Sequence, residues 1–282
     1  MLRMRIGVYA MGILVVIGLA QCAGRSARED AISIKGSDTM VLLGQRWAER
    51  YMAAHPGAVI QVTGGGSGTG IAALINGTTD ICQSSRPMKD KERAQIQEKF
   101  GASPHEIVVA KDGLTVYVHE SNPLAELTIA QIKGVYSGAT TNWNQLGGPD
   151  KKISVYGREN SSGTYEYFKE HVLEGGDFAA AVQTLPGTAA VVNAVAQDPF
   201  GIGYGGAAYA KGVREVGIKK SDAEPAVMPT ADAVRSGAYP LSRDLYFYTR
   251  KAPEAGMKEF VEFALSDSGQ AVVSEVGYFR AR

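Results

Sequence analysis

The run Gly157-Arg158-Glu159-Asn160-Ser161-Ser162-Gly163-Thr164 joins one permanently charged guanidinium to hydroxyls and a glycine within a single short loop. An apolar, strand-like stretch (153–156) precedes it and a helix-like stretch (165–170) follows. A strand, a small polar loop and a helix start leave backbone N–H groups unpaired and directed outward. Arg158, Ser162, Gly163 and Thr164 therefore suit the capture of a small oxyanion. The plainer reading is a capped helix beside a surface arginine.

Two more loops of the same kind lie between strand-like and helix-like runs. Gly36-Ser37-Asp38-Thr39-Met40 could cap a helix or present donors. Gly64-Gly65-Gly66-Ser67-Gly68-Thr69-Gly70 is either a flexible turn or a nest of N–H groups open to an anion. Catalytic readings of these loops fail on particular residues. A nucleotide P-loop needs Lys before Ser/Thr, and the run from Gly66 to Gly70 has none. A nucleophile elbow needs Gly two positions either side of serine, but Thr69 follows Ser67, and Asn160 and Thr164 flank Ser162. A dinucleotide fingerprint finds Thr69 where its third glycine belongs. His55, His105, His119 and His171 have neither i, i+4 pairing nor cysteine neighbours, so no metal site is expected, and no cofactor. The acids Asp222, Glu224, Asp232 and Asp244 are scattered among turn residues and form no dyad by spacing.

The elements that must position these loops follow from periodicity. Strands are expected over 32–35, 58–62, 80–83, 107–110, 114–118, 201–204 and 245–249. Helices are expected over 40–54, 71–76, 89–100, 129–136, 164–172, 189–197 and 255–265, the first stopped by Pro56-Gly57. Such alternation predicts an α/β protein with a largely parallel sheet. Its ligands would bind beyond the carboxyl ends of the strands, where the three loops lie. The pattern divides into a first lobe over 31–114, a second over 115–239, and a return to the first over 240–282.

The chain of 282 residues carries 29 basic and 29 acidic side chains. With no basic excess to gather phosphates along a polymer, nucleic-acid binding is excluded. Arg3 and Arg5 followed by an apolar run over 6–20 form a secretion signal over 1–21, too short for a comfortable membrane span. Leu19-Ala20-Gln21-Cys22 resembles a bacterial lipobox, although the family pattern prefers a residue smaller than Gln21. It implies lipidation of Cys22 and a polar tether over 22–30; the alternative is ordinary secretion. Cys82 is then left without a partner and reads as a buried free thiol.

With these loops in place, the sequence from Ile32 onward resembles the substrate-binding proteins of bacterial phosphate ABC transporters. Gly36-Ser37-Asp38-Thr39 is similar to that family's first anion loop, and Gly66-Ser67-Gly68 to its second. Arg158 with Ser162-Gly163-Thr164 is similar to its Arg-x-x-x-Ser-Gly-Thr signature. Asp112-Gly113-Leu114, Thr141-Asn142-Trp143, Gly201-Ile202-Gly203-Tyr204 and Tyr239-Pro240-Leu241-Ser242-Arg243 match as supporting stretches without ligand roles. The resemblance implies a two-lobed periplasmic-binding-protein fold of type II with the cleft between the lobes. It implies phosphate bound by Ser37, Asp38, Thr39, Ser67, Arg158, Ser162, Gly163 and Thr164, without catalysis. It also implies a monomer outside the cytoplasmic membrane that hands its ligand to a permease. A phosphoester hydrolase, a sensor or adhesin on the same fold, and a binder of another tetrahedral oxyanion are the alternatives.

One departure bears on selectivity. Many members place an Asp after the strand over 80–83, where it accepts the proton of hydrogen phosphate. This chain has Ser84-Ser85-Arg86. Fully ionised sulfate has no proton to offer, so such a carboxylate would face it unpaired and repel it. Here Asp38 takes the role, or Ser85 does so more weakly, or selectivity is relaxed. Arg86 is either a second cation for the anion or a structural arginine.

Overall fold

The computed structural model describes residues 31–281. The signal segment, Cys22 and the tether lie outside the described residues. In chain order the elements are β1 (Ile32–Gly36), α1 (Asp38–Ala54), β2 (Ile60–Thr63), α2 (Ser67–Asn76), β3 (Ile81–Ser84), α3 (Asp90–Phe100) and β4 (His105–Val118). There follow β5 (Glu126–Thr128), α4 (Ile129–Ser137), β6 (Ser154–Arg158), α5 (Gly163–His171), β7 (Gln183–Leu185), α6 (Thr188–Gln197) and β8 (Gly201–Gly206). The chain ends with β9 (Arg214–Glu215), β10 (Gly217–Lys219), α7 (Ala231–Ser236), β11 (Ser242–Thr249), α8 (Ala255–Leu265) and α9 (Asp267–Val276).

Over the described residues the main sheet runs β2-β1-β3-β11-β4-β8-β6-β7, with β9 on β4, while β10 and β5 form a separate pair. It is parallel at each end, where β1 pairs with β2 and β3, and β6 with β7 and β8. In the middle β11 runs antiparallel to both β3 and β4, and β4 antiparallel to β8. The expectation of a largely parallel sheet is thus corrected at its centre. The two separate strands expected over 107–110 and 114–118 are one 14-residue strand. Asp112-Gly113 reads as a break in sequence, but both residues keep extended pairing with β11.

Two apolar cores flank that central pair. One gathers Ile34, Leu43, Trp47, Tyr51, Val109, Leu245, Phe247, Phe260 and Val273. The other gathers Leu114, Val116, Ile132, Tyr136, Trp143, Phe168, Ile202, Tyr204 and Leu241. The cores part along β4 and β11, so these two strands cross from one lobe to the other. Each fully buried large side chain contributes roughly 1.5–3 kcal/mol. Their polar tips are paired: Trp47 Nε1 donates to the Gly269 carbonyl at 2.8 Å and Trp143 Nε1 to the Phe200 carbonyl at 3.0 Å. Cys82 is fully buried against Ile71 and Leu74, and burial pushes its thiol pKa far up, which suits packing and not nucleophilic chemistry. No helix among the described residues is long and apolar enough to cross a membrane.

Candidate anion-binding site

Three helix N-termini meet where the lobes touch. Ser37, Gly66 and Ser162 stand at the N-caps of α1, α2 and α5, following β1, β2 and the turn after β6. Each such end carries unpaired N–H groups and roughly half a positive charge from aligned peptide dipoles. Contacts between the loops are direct. The Gly68 N–H donates to the Ser161 carbonyl at 2.9 Å, and the Thr39 and Thr164 hydroxyls lie 2.9 Å apart. Gly66 allows the approach: it has φ +93°, and a Cβ there would stand 2.4 Å from the Ser161 carbonyl oxygen. Ser37, Thr39, Ser67, Ser85, Arg158, Ser162 and Thr164 are all buried.

Most of these hydroxyls already accept from fixed donors, which frees their own protons. Ser162 Oγ accepts from the N–H groups of Thr164 and Tyr165 at 3.2 and 3.3 Å. Ser67 Oγ accepts from the Ser85 N–H at 3.1 Å, and Ser85 Oγ accepts from Ser37 Oγ at 2.9 Å. Ser162, Ser67 and Ser85 thus keep their own protons available to an anion, while Ser37 spends its proton on Ser85. At the N-cap of α1, Ser37 makes no capping bond with its side chain.

Arg158 is only 1% exposed and is held from three directions. Its Nη2 donates to Asp38 Oδ2 and to Glu159 Oε1, both at 2.9 Å, its Nε to Glu159 Oε2 at 3.2 Å, and its Nη1 to Thr188 Oγ1 at 2.8 Å. These bonds occupy four of five guanidinium protons and leave one on Nη1. Asp38 is fully engaged as well, since its Oδ1 accepts the Gly65 N–H at 2.8 Å. It therefore clasps Arg158 across the lobes, with each of its two oxygens already holding one donor. Its backbone carbonyl accepts from the Tyr209 hydroxyl at 2.8 Å, and burial pushes that hydroxyl's pKa up to about 12.

Arg86 points elsewhere. Its Nη1 and Nη2 grip Glu92 at 2.9 and 2.8 Å, and Nη1 also reaches the Pro87 carbonyl at 2.9 Å. Its Nη1 and Nη2 bonds thus lie within the first lobe, as those of a structural arginine would. Burial alone would raise the Glu92 carboxyl, but hydrogen bonds from Arg86 and the Lys89 backbone outweigh it and lower the pKa. The stabilisation is thus present above the ordinary Glu range and is lost as pH falls through the depressed value. Arg86→Ala is expected to cost about 3 kcal/mol of stability by stranding Glu92, while anion affinity stays unchanged. Chemical denaturation beside calorimetry checks this, and a large loss of affinity at unchanged stability would contradict it.

A second guanidinium belongs to the site, although the motif that contains it implies no ligand role. Arg243 donates from Nε and Nη2 to Asp112 Oδ2 at 3.0 and 2.7 Å, from Nη1 to the Ser85 carbonyl at 3.2 Å, and from Nη2 to Thr164 Oγ1 at 3.1 Å. Its signal in sequence is only an arginine heading β11. Thr188, at the start of α6, is likewise invisible to sequence reasoning, since nothing in its neighbourhood marks it as a partner of Arg158. Two guanidiniums thus face three carboxylates, Asp38, Glu159 and Asp112. Excess charge is not what would hold an anion here; fixed donors and helix ends are.

Beyond the loops, Lys89 and Glu166 join the lobes at the surface at 2.6 Å. A groove of about 560 Å³ lies alongside, lined by Tyr167, His171, Lys111 and Asp244, and shares Arg243 with the site. His171 stacks on Tyr167 and His55 on Tyr51. Among the described residues no group of His, Cys, Asp or Glu could hold a metal ion.

The family described as "PBP superfamily domain" matches residues 23–268. A phosphate-binding protein PstS of Pseudomonas aeruginosa is 37% identical over 264 residues, covering 88% of this chain and 82% of the relative. One from Staphylococcus epidermidis is 32% identical over 290 residues, covering 97% and 87%. Among solved structures, a putative phosphate ABC transporter substrate-binding protein with bound phosphate from Clostridium perfringens superposes with a TM-score of 0.80 at 28% identity, over 89% of this chain and 100% of that one. An ABC-type phosphate transport receptor from Vibrio cholerae gives 0.70 at 31% identity, over 88% and 99%. With its two cores joined by crossing strands and its loops meeting between them, this chain belongs to the PBP superfamily, in the family of the phosphate-binding proteins PstS.

Proposed function

We propose that this chain captures inorganic phosphate between its lobes outside the cytoplasm and delivers it to the permease of an ABC transporter. The observation that carries the reading is the meeting of three helix N-termini from two lobes beside buried Arg158. Thr39, Ser67, Ser162, Gly163 and Thr164 donate to the phosphate oxygens, and the remaining Nη1 proton of Arg158 adds a charge-assisted bond. Closing the lobes replaces water around the anion with fixed donors, and the closed form is what a permease distinguishes. The lobes divide at 114/115 and 239/240, near where the two apolar cores part.

Binding proceeds without turnover, because the site offers hydrogen-bond donors and no activated nucleophile. The protein acts as a monomer, with Cys22 as a lipid anchor; labelling with a fatty-acid probe tests the anchor, and unlabelled mature protein removes it. Calorimetric titration with phosphate tests the main reading. One phosphate per chain is expected, and the absence of any binding heat or ligand-induced rise in Tm overturns it.

A further inference from the structure

Resting on the phosphate reading, we infer that Asp112 sets the selectivity of the site, its Oδ1 accepting the proton of bound hydrogen phosphate. Asp112 lies on β4 where that strand leaves the first lobe. It is fully buried, and its Oδ1 has no hydrogen-bond partner among the described residues. A buried carboxylate oxygen without a donor is costly, so the fold keeps this one for a reason.

The surroundings of Asp112 place it at the floor between the anion loops. Across the ladder its register partner is Arg243, which takes Oδ2 by two bonds and extends Nη2 to Thr164 and Nη1 to the Ser85 carbonyl. On the other side Gly206 leaves room, since a Cβ there would stand 2.9 Å from Oδ1. The Tyr278 hydroxyl reaches the Thr39 carbonyl at 2.5 Å and the Tyr209 hydroxyl the Asp38 carbonyl at 2.8 Å. Burial pushes both phenol pKa values up and the nearby Asp112 charge adds to it, so the first anion loop rests on tyrosines beside Asp112.

The other acids are occupied or lie elsewhere. Asp38 and Glu159 each give both oxygens to donors. Glu166 pairs at the surface with Lys89. Glu215 also has an unpartnered buried oxygen, but it lies on β9 beside Tyr117, facing Thr115. Ser85 is a hydroxyl, which can turn its proton toward sulfate as readily as its lone pair toward phosphate. Only a carboxylate is left unpaired and repelled by an oxyanion without a proton. Arg243 plays the complementary part, fixing Asp112 and occupying a lone pair of Thr164, so that Thr164 donates.

Competitive calorimetry with phosphate and sulfate tests this on wild type and on Asp112→Asn. Wild type is expected to prefer phosphate at least about a thousandfold, as sites built around a ligand hydroxyl do. In Asp112→Asn the ratio is expected to fall to within about tenfold, with sulfate binding strengthened in absolute terms. A merely structural role would weaken both anions together and leave the ratio standing, which would overturn the inference. Wild type taking both anions within tenfold would also overturn it, while leaving phosphate capture intact. Wild type that binds neither anion removes the functional reading itself, and this inference with it. Since Asn at 112 strands a buried guanidinium, the same ratio is read in the double variant Asp112→Asn/Arg243→Gln, which leaves no unpaired charge behind.

Discussion

Arg158→Ala is expected to weaken phosphate binding by at least about a thousandfold, roughly 4 kcal/mol, without unfolding either lobe. The arithmetic has two parts. The substitution removes a charge-assisted bond to the anion, worth about 1.5–3 kcal/mol. It also leaves Asp38 and Glu159, the two carboxylates that Arg158 holds, without their cation beside the incoming anion. Removing one partner of a buried pair costs about 3–5 kcal/mol when the remaining charge stays buried. Asp38 and Glu159 are partly exposed, at 19% and 29%, even with the lobes in contact, so water relieves some of that cost. The incoming anion then meets two carboxylates without their cation, so the penalty falls on binding more than on folding. Arg158→Lys separates the two effects, since it keeps the charge but cannot serve Asp38, Glu159 and Thr188 together. Calorimetry on the three proteins, with thermal melts as control, measures this. An Arg158→Ala protein of wild-type affinity would show that the anion does not sit where the three helix ends meet.

Much of this architecture is legible in the chain. The helices over 40–54, 89–100 and 255–265 are readable because their apolar spacing and stop residues agree with one core, and they are observed as α1, α3 and α8 to within two residues. The helix over 164–172 is likewise observed as α5 to within one residue, but the expected start of α2 falls four residues late, since Ser67 reads as a loop residue but opens the helix. The antiparallel crossing of β4 and β11 is not readable. Their pairing is set by residues some 130 positions apart, such as Asp112 with Arg243. Short β5, β7, β9 and β10 carry too few residues for a period, and α7 is six residues long.

For the site, loop chemistry locates the helix ends but not the connections among them. Ser37, Thr39, Ser67, Ser162 and Thr164 stand out because hydroxyl residues beside glycine between a strand and a helix serve as caps or as ligand donors, and three such loops recur in one chain. Whether a charged side chain faces the anion or another residue is decided by partners distant in sequence. Arg86 and Arg158 look alike in the chain, yet the first is claimed by Glu92 six residues on, and the second by Asp38 across the cleft. Arg243 and Asp112 lie in stretches that match the family without ligand roles; their importance is a consequence of where the strands cross.

Gly163→Ala is expected to separate folding from closure, and to do so without altering any charge or hydroxyl. Gly163 opens α5 with ordinary helical geometry, so alanine there is not strained in its own backbone. The obstacle is across the cleft: a Cβ at 163 would lie 2.3 Å from Ser67 Oγ, 2.8 Å from Ser67 Cβ and 2.9 Å from Ser85 Oγ. Ser67 and Ser85 are themselves locked, the hydroxyl of one accepting from the N–H of the other, so neither gives way cheaply. The methyl group therefore holds the lobes apart, while each lobe keeps its own core. An anion held by the α1 and α2 ends alone forgoes the donors of α5 and the charge of Arg158, and affinity is expected to fall about a thousandfold, ~4 kcal/mol. Small-angle scattering should show a radius of gyration that no longer contracts when phosphate is added, with an unchanged Tm in its absence. Retained contraction and wild-type affinity would mean that the close approach of Gly163 to Ser67 and Ser85 is not how the two lobes share their ligand.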